Sequence, residues 1–437
     1  VSAAAPARGT PAGDDIELAT LASGVRVLTL PMPGLHTACV GLYLRSGSLH
    51  ESERQAGIGH VVEHMVYKGT ASRDARRINL DAERLGAQAN AHTDKDHSAF
   101  QLRGLPAHAV DFVHQLAELL CTPSFPAAEL EAERAVLLQE LLETEDDPFT
   151  IAFELFDKAC YGSQPAGRPV IGRRRNLERF GCDELARWLQ QQRSGCNLVL
   201  AAAGPFGAAE VAALQRAAEA GFSGIGPGTA NVPPAARWLG GSRARRLAGA
   251  SQAHLVLGFP IAPWAAAEPT ATVAAAVLGE GMSSPLLDEV RERRGLAYHA
   301  ACSADVIDGA GQFVVEASTG ASQLGELLSV ATGLLRRQAD GVADDDLQRA
   351  RHQLAVRHAR LCERPWQRLE GAVLDTFVHG APRRPRQLLD EQLAVDAARL
   401  RAAFEAMCAA PAAVAACGQL GRTTAELLRN QVQAALR

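Results

Sequence analysis

Apolar positions along this chain repeat in the same supersecondary order twice. In the first half, β-like runs at Val25 to Leu30 and Cys39 to Leu44 precede an amphipathic helical segment, "GIGHVVEHMVYKGT", from Gly57 to Thr70. A hairpin-like pair is expected around 88–93 and 98–103, with helices over 107–120 and 126–145, and the run "CNLVLAAAG" closes the half. In the second half, "AHLVLGFP" leads to an Ala-rich helix expected over 265–278. Strands near 297–304 and 312–317 follow, then helices over 322–338 and 344–362, and "AAVAACG" ends the pattern. The Gly/Pro-rich stretch "GIGPGTANVPPAARWLGG", residues 224–241, lies between the halves. Strand runs mixed with helix runs, rather than strict alternation, predict two α+β domains, 1–223 and 242–437, with 224–241 as linker.

Composition narrows the function classes. The 437 residues are 47% hydrophobic and 21% charged, a mixture that supports packed cores rather than disorder. A net charge of -5 gives no footprint for nucleic acid, and the basic clusters at Arg173, Arg174 and Arg175 and at Arg243, Arg245 and Arg246 read as solvated faces. No run approaches the roughly 18 apolar residues of a membrane span, so no membrane partner is expected. Nine dispersed cysteines without a CxxC pair suit free thiols in a reducing compartment, which favours the cytoplasm. The start lacks an initiator Met and an apolar signal core, as if a leader or tag had been removed, so periplasmic and organellar locations stay open.

The opening helix carries the chemistry. Ile58, Val61, Val62, Met65 and Val66 supply its apolar surface, yet it also holds His60, Glu63 and His64. On a helix of 3.6 residues per turn, His60 and His64 stand one above the other, so two imidazoles can reach one tetrahedral zinc while Glu63 meets a water beside it. This is an HxxEH pattern, the reversed form of HExxH. A catalytic zinc needs a third protein ligand. The segment "ELEAERAVLLQELLETEDD" offers Glu133 and Glu140, seven apart on one helix face beside Val136 and Leu137. Glu140 is the better ligand candidate and Glu133 suits an orienting role, although this helix alone reads equally well as an exposed acidic face.

The stretch "GSLHESERQAGIGHVVEHMVYKGT" closely resembles the signature of the M16 metallopeptidases. That family places its third ligand, a glutamate, 76 residues after the second His, which here is Glu140. Similarity continues in "LGAQANAHTDKDHSAFQLRG", in "PAGRPVIG" and, in the second half, in "GEGMSSPLLDEVRERRGLAY". Departures are Gln164-Pro165 where relatives often carry His-Pro, and "IGRRRN" in place of an acidic stretch.

The resemblance implies two homologous domains, each a mostly antiparallel sheet against helices, making half of a four-domain clam-shell. It implies Zn2+ held by His60, His64 and Glu140, with Glu63 as the general base that takes a proton from water at the metal. Asn90, Ala91 and Thr93 lie on the strand that would pair with an extended peptide substrate. Arg291 and Tyr298 match a pair that contacts substrate and helps hold the oxyanion. A chain of this size supplies two domains, so a second M16-like chain is implied: a homodimer is expected, with a heterodimer as runner-up. The expected function is zinc-dependent endopeptidase action on unfolded, precursor or leader peptides within a closed chamber. The alternative is a non-catalytic or partner-dependent subunit.

Overall fold

The computed structural model describes residues 16–266 and 268–436 and contains two sheets, one from each half of the chain. The first comprises β1 (Glu17–Thr20), β2 (Arg26–Pro31), β3 (Ala38–Leu44), β4 (Gln88–Thr93), β5 (Ser98–Gly104) and β6 (Leu198–Gly204). Its spatial order is β1-β2-β6-β3-β5-β4. The second comprises β7 (Gly241–Arg246), β8 (Ala253–Pro260), β9 (Ala297–Ile307), β10 (Ala310–Thr319) and β11 (Ala413–Gly418), ordered β7-β11-β8-β10-β9. Only β2 with β6 and β7 with β11 run parallel; the other pairs are antiparallel, so the expected pair of α+β units is what the chain forms.

Local chemistry explains the differences from the expected elements. β1 and β7 escape a period-two search because "ELAT" is short and "GSRARR" has no apolar alternation; both are edge strands held by one neighbour. The Ala-rich helix starts at Pro269 rather than Ala265, because proline suits a helix's first turn while restricting the residue before it. The motif helix spans Ile58–Val66, and Gly69 and Thr70 leave it to form bridges with Asp74 and Pro123.

The two halves exchange cover. Helix Pro148–Tyr161, encoded in the first half, sets Ile151, Ala152, Phe156 and Ala159 against Val256, Val314 and Ala415 of the second sheet. Helix Pro365–His379, from the second half, sets Leu369, Val373 and Phe377 against Leu28, Leu30, Val199 and Ala201 of the first. Both faces of each sheet are therefore buried, which is why the central strands "LVLAAAG" and "AVAACG" read as continuous apolar runs. No helix among the described residues is long and apolar enough to cross a membrane.

Candidate metal centre

The motif helix begins where two glycines touch. Gly57, the N-cap, has φ 98°, and a Cβ there would meet Gly172 Cα and the Ile171 carbonyl oxygen at 2.8 Å. The "PVIG" turn therefore presses against the helix entrance, and only glycine tolerates both the left-handed backbone and the approach. Glu51 stands where a capping side chain would: its carboxylate accepts from Gly57 N at 2.7 Å and Gly59 N at 2.8 Å. Burial pushes Glu51 up to about 7 against the pull of those two amides. Ile58, Val61, Val62, Met65 and Val66 are all buried in the first core, so the helix cannot rotate without exposing them.

On this fixed helix His60 Nε2 and His64 Nε2 lie 3.2 Å apart. The acidic helix Ala127–Asp146 buries Leu130, Leu137 and Leu141 and turns Glu133 and Glu140 toward the histidines, with Val136 left exposed. Glu140 Oε1 is 3.5 Å from His60 Nε2, and Glu140 Oε2 is 3.6 Å from His64 Nε2. Glu133 Oε1 is 2.8 Å from His64 Nδ1, and its other oxygen meets Lys68 Nζ at 2.5 Å. Burial disfavours charge on His60, yet the hydrogen bond and charge of Glu140, then Glu63 and Glu51, outweigh it and raise the ring's pKa. The His60 contact in turn lowers Glu140. Burial works against the Glu133 carboxylate, but Lys68 and His64 hold it below its ordinary value.

The donor geometry fits zinc. Ligands at about 2.0–2.1 Å around a tetrahedral ion stand roughly 3.3 Å from one another; the two Nε2 atoms at 3.2 Å match that edge, and each ring has one Glu140 oxygen, Oε1 for His60 and Oε2 for His64, at 3.5 and 3.6 Å. Three lone-pair donors converging on one point repel each other unless a cation or proton lies between them. Nδ1–H of His64 donates to Glu133, which leaves the lone pair of Nε2 for a metal. His60 Nδ1, by contrast, is buried with no hydrogen-bond partner among the described residues.

Glu63 is buried beside this group, and Thr93 Oγ1 donates to its Oε2 at 2.6 Å. Asn90, Ala91 and Thr93 all lie on β4, one of the two edge strands of the first sheet, whose outer side pairs with no other strand among the described residues. Ala91 packs against the first core, while Asn90 is exposed.

The chain is similar to known proteins over most of its length. Residues 26–174 match the family model "Insulinase (Peptidase family M16)", and residues 180–354 match "Peptidase M16 inactive domain". An uncharacterized zinc protease of Streptomyces coelicolor is 32% identical over 348 residues, covering 77% of this chain and 74% of that protein. The chain belongs to peptidase family M16. An uncharacterized zinc protease of Bacillus subtilis is 29% identical over 337 residues, covering 77% of this chain and 81% of its own length. Among solved structures, a protease from Helicobacter pylori matches with TM-score 0.82 at 17% identity, covering 92% of this chain and 99% of that one. A chain of "Complex III2 from Candida albicans, Inz-5 bound" matches with TM-score 0.82 at 16% identity, covering 96% and 100%.

In this M16 chain Arg291 and Tyr298 meet each other: the guanidinium carbon lies 4.6 Å from the ring centroid, and Tyr298 is 79% exposed. Among the described residues Arg291's other partners are Met282 and Glu292, so these contacts stay within the second half. The structure thus gathers His60, Glu63, His64, Glu133, Glu140 and Thr93 into one group and leaves half-buried Arg291 and exposed Tyr298 as a separate pair. Sequence reasoning missed Lys68 and Glu51. Lys68, four residues after His64, was legible as a same-face neighbour, whereas nothing local announces that Glu51 folds back onto the helix start.

Proposed function

We propose that this chain is a zinc-dependent endopeptidase acting on unfolded, precursor or leader peptides. The observation that carries the reading is the convergence of His60, His64 and Glu140 with a buried Glu63 held beside them by Thr93. Zinc in that site would acidify a water towards pKa 7 and polarise a peptide carbonyl. Glu63, with Oε2 occupied by the Thr93 hydroxyl, would take the water's proton on Oε1 and return it to the departing amine. Asn90, Ala91 and Thr93 offer an edge strand to extended substrate, whose main-chain hydrogen bonds give affinity with little sequence preference.

The working unit in this reading is a dimer of two such chains, a homodimer first and a heterodimer second, closing four domains into a chamber. Arg291 and Tyr298 of one chain would face the zinc group of the other, where a cation and a phenol can stabilise the oxyanion. The exposure of Tyr298, and the confinement of the Arg291 side chain's contacts among the described residues to the second half, support an arrangement in which a second chain completes the site. Nine free thiols suit a reducing compartment, the cytoplasm first.

A second reading, a non-catalytic partner subunit, draws on the words "inactive domain" and on the Complex III2 neighbour. The inactive-domain match covers 180–354, which excludes His60, Glu63, His64 and Glu140, and a scaffold has no use for a base at Glu63. The deciding experiment strips the purified protein with chelator, restores zinc, and reads cleavage of a mixed peptide library by mass spectrometry. Cleavage that disappears with chelation and returns with zinc is expected. A zinc-loaded protein that cuts nothing sinks the peptidase reading in favour of the partner subunit.

A further inference from the structure

A second convergence of metal-ligating side chains lies on the opposite face of the edge strand. Along β4, Ala91 packs into the first core and Thr93 reaches Glu63, so the intervening His92 projects the other way, toward helix Pro365–His379. There His92 Nε2 is 3.0 Å from Glu370 Oε1, and His97 Nε2 is 3.2 Å from the same oxygen. The two rings stand edge to face at 5.4 Å, as His60 and His64 do at 4.6 Å. One donor atom from each of His92, His97 and Glu370 falls within 4.8 Å of the other two.

The surroundings are built in the manner of a metal site. His97 is fully buried, and its Nδ1 lies 2.7 Å from Asp96 Oδ1, which directs Nε2 at the convergence point. Asp96 is itself fixed: its other oxygen accepts from Asp308 N at 3.0 Å, and Asp308 is paired with Arg45. His92 and Glu370 are half-buried, at 31% and 26% side-chain exposure, which leaves an entry path for an ion from solvent. Trp366, one turn before Glu370 on the same helix, stacks on Tyr43 with 16° between the rings and holds that helix face against the sheet. Two imidazoles and one carboxylate suit a borderline first-row divalent cation rather than calcium or magnesium.

We propose that His92, His97 and Glu370 form a second site for such a cation, zinc being the first candidate, with Asp96 as the group that orients His97. The site joins the two halves of the chain: both histidines come from the first half, and Glu370 from the helix that the second half lends to the first sheet. A cation there clamps the back of β4 to that helix. It thereby fixes the strand that holds Thr93 against Glu63, without touching the HxxEH group.

The test counts metal in full-length protein stripped with chelator, reloaded with zinc and passed through gel filtration. Wild type is expected to retain two equivalents. His64→Ala/Glu140→Gln, which dismantles the first group, should retain one, and adding Glu370→Gln should abolish it. Zinc should raise the melting temperature of His64→Ala/Glu140→Gln and leave the triple variant unmoved. If the triple variant does not fold, His92→Phe replaces Glu370→Gln, since it alters a half-exposed ring and spares the buried His97 with Asp96. Should wild type bind a single equivalent that survives His64→Ala/Glu140→Gln and is lost with Glu370→Gln, the second site stands and the first fails. Absence of zinc from His64→Ala/Glu140→Gln overturns the proposal and identifies the cluster as a hydrogen-bonded ion pair. Zinc that persists through both Glu370→Gln and His92→Phe overturns it as well.

Discussion

Replacing Glu133 by Gln removes one charge without changing shape, and the structure says what that costs. Both carboxylate oxygens face donors: His64 Nδ1 at 2.8 Å and the Lys68 ammonium at 2.5 Å. The amide has a single oxygen. If that oxygen turns to Lys68, the NH2 faces Nδ1, and the ring must carry its proton on Nε2, the atom needed by the metal. If it turns to His64, the NH2 abuts the ammonium, donor against donor, at a position only 7% exposed. Losses of such orienting partners weaken metal affinity about 10–100-fold, which is about 1.4–2.8 kcal/mol at a factor of ten per 1.4 kcal/mol. A competitive zinc titration against a chelating dye at neutral pH reads this directly, and Glu140→Gln, which removes a ligand, should fall further. At saturating zinc, peptide cleavage by Glu133→Gln should recover most of the wild-type rate. Unchanged zinc affinity in Glu133→Gln would refute the claim that Glu133 orients His64.

Three further outcomes follow from particular contacts. Gly57→Ala combines a left-handed alanine with an approach of 2.8 Å to Gly172, so chemical denaturation should show a loss of roughly 2–4 kcal/mol. Asp147 caps helix Pro148–Tyr161; the Thr150 hydroxyl, then the Thr150 and Phe149 amides, hold its carboxyl below the ordinary value. Its contribution is therefore present above that ordinary value and lost as pH falls through the lowered one: Asp147→Ala should cost about 1 kcal/mol at neutral pH, with the gap closing in acid. If the active unit pairs the zinc group of one chain with Arg291 and Tyr298 of another, Glu63→Gln and Arg291→Ala should each be inactive alone and regain activity when co-refolded. No recovery on mixing, or a fully active strict monomer on native mass measurement, contradicts the shared site.

Much of this architecture was readable from residue order because its strongest signals are local. The i, i+4 spacing of His60 and His64 and the seven-residue spacing of Glu133 and Glu140 depend only on helix geometry, and both survive into the folded positions. The central strands were visible because they are buried on both faces. The exchange of helices Pro148–Tyr161 and Pro365–His379 between sheets was not visible, since an amphipathic helix reports that it has a buried face but not which sheet covers it. The same limit hid His97 and Glu370: 273 positions separate two residues that the exchanged helix brings to 3.2 Å. The family resemblance implies a substrate-facing Thr93, and its contact with Glu63 adds a positioning part that depends on how β4 packs on the motif helix.

In the proposed reaction Glu63, beside zinc held by His60, His64 and Glu140, moves the proton in peptide hydrolysis. Single-turnover cleavage of one defined peptide by zinc-loaded wild type and zinc-loaded Glu63→Gln, with bound metal counted in both, tests it most directly. Equal zinc content with a rate about 10²–10⁴-fold lower in Glu63→Gln is the predicted result. Equal zinc content with equal rates would contradict it.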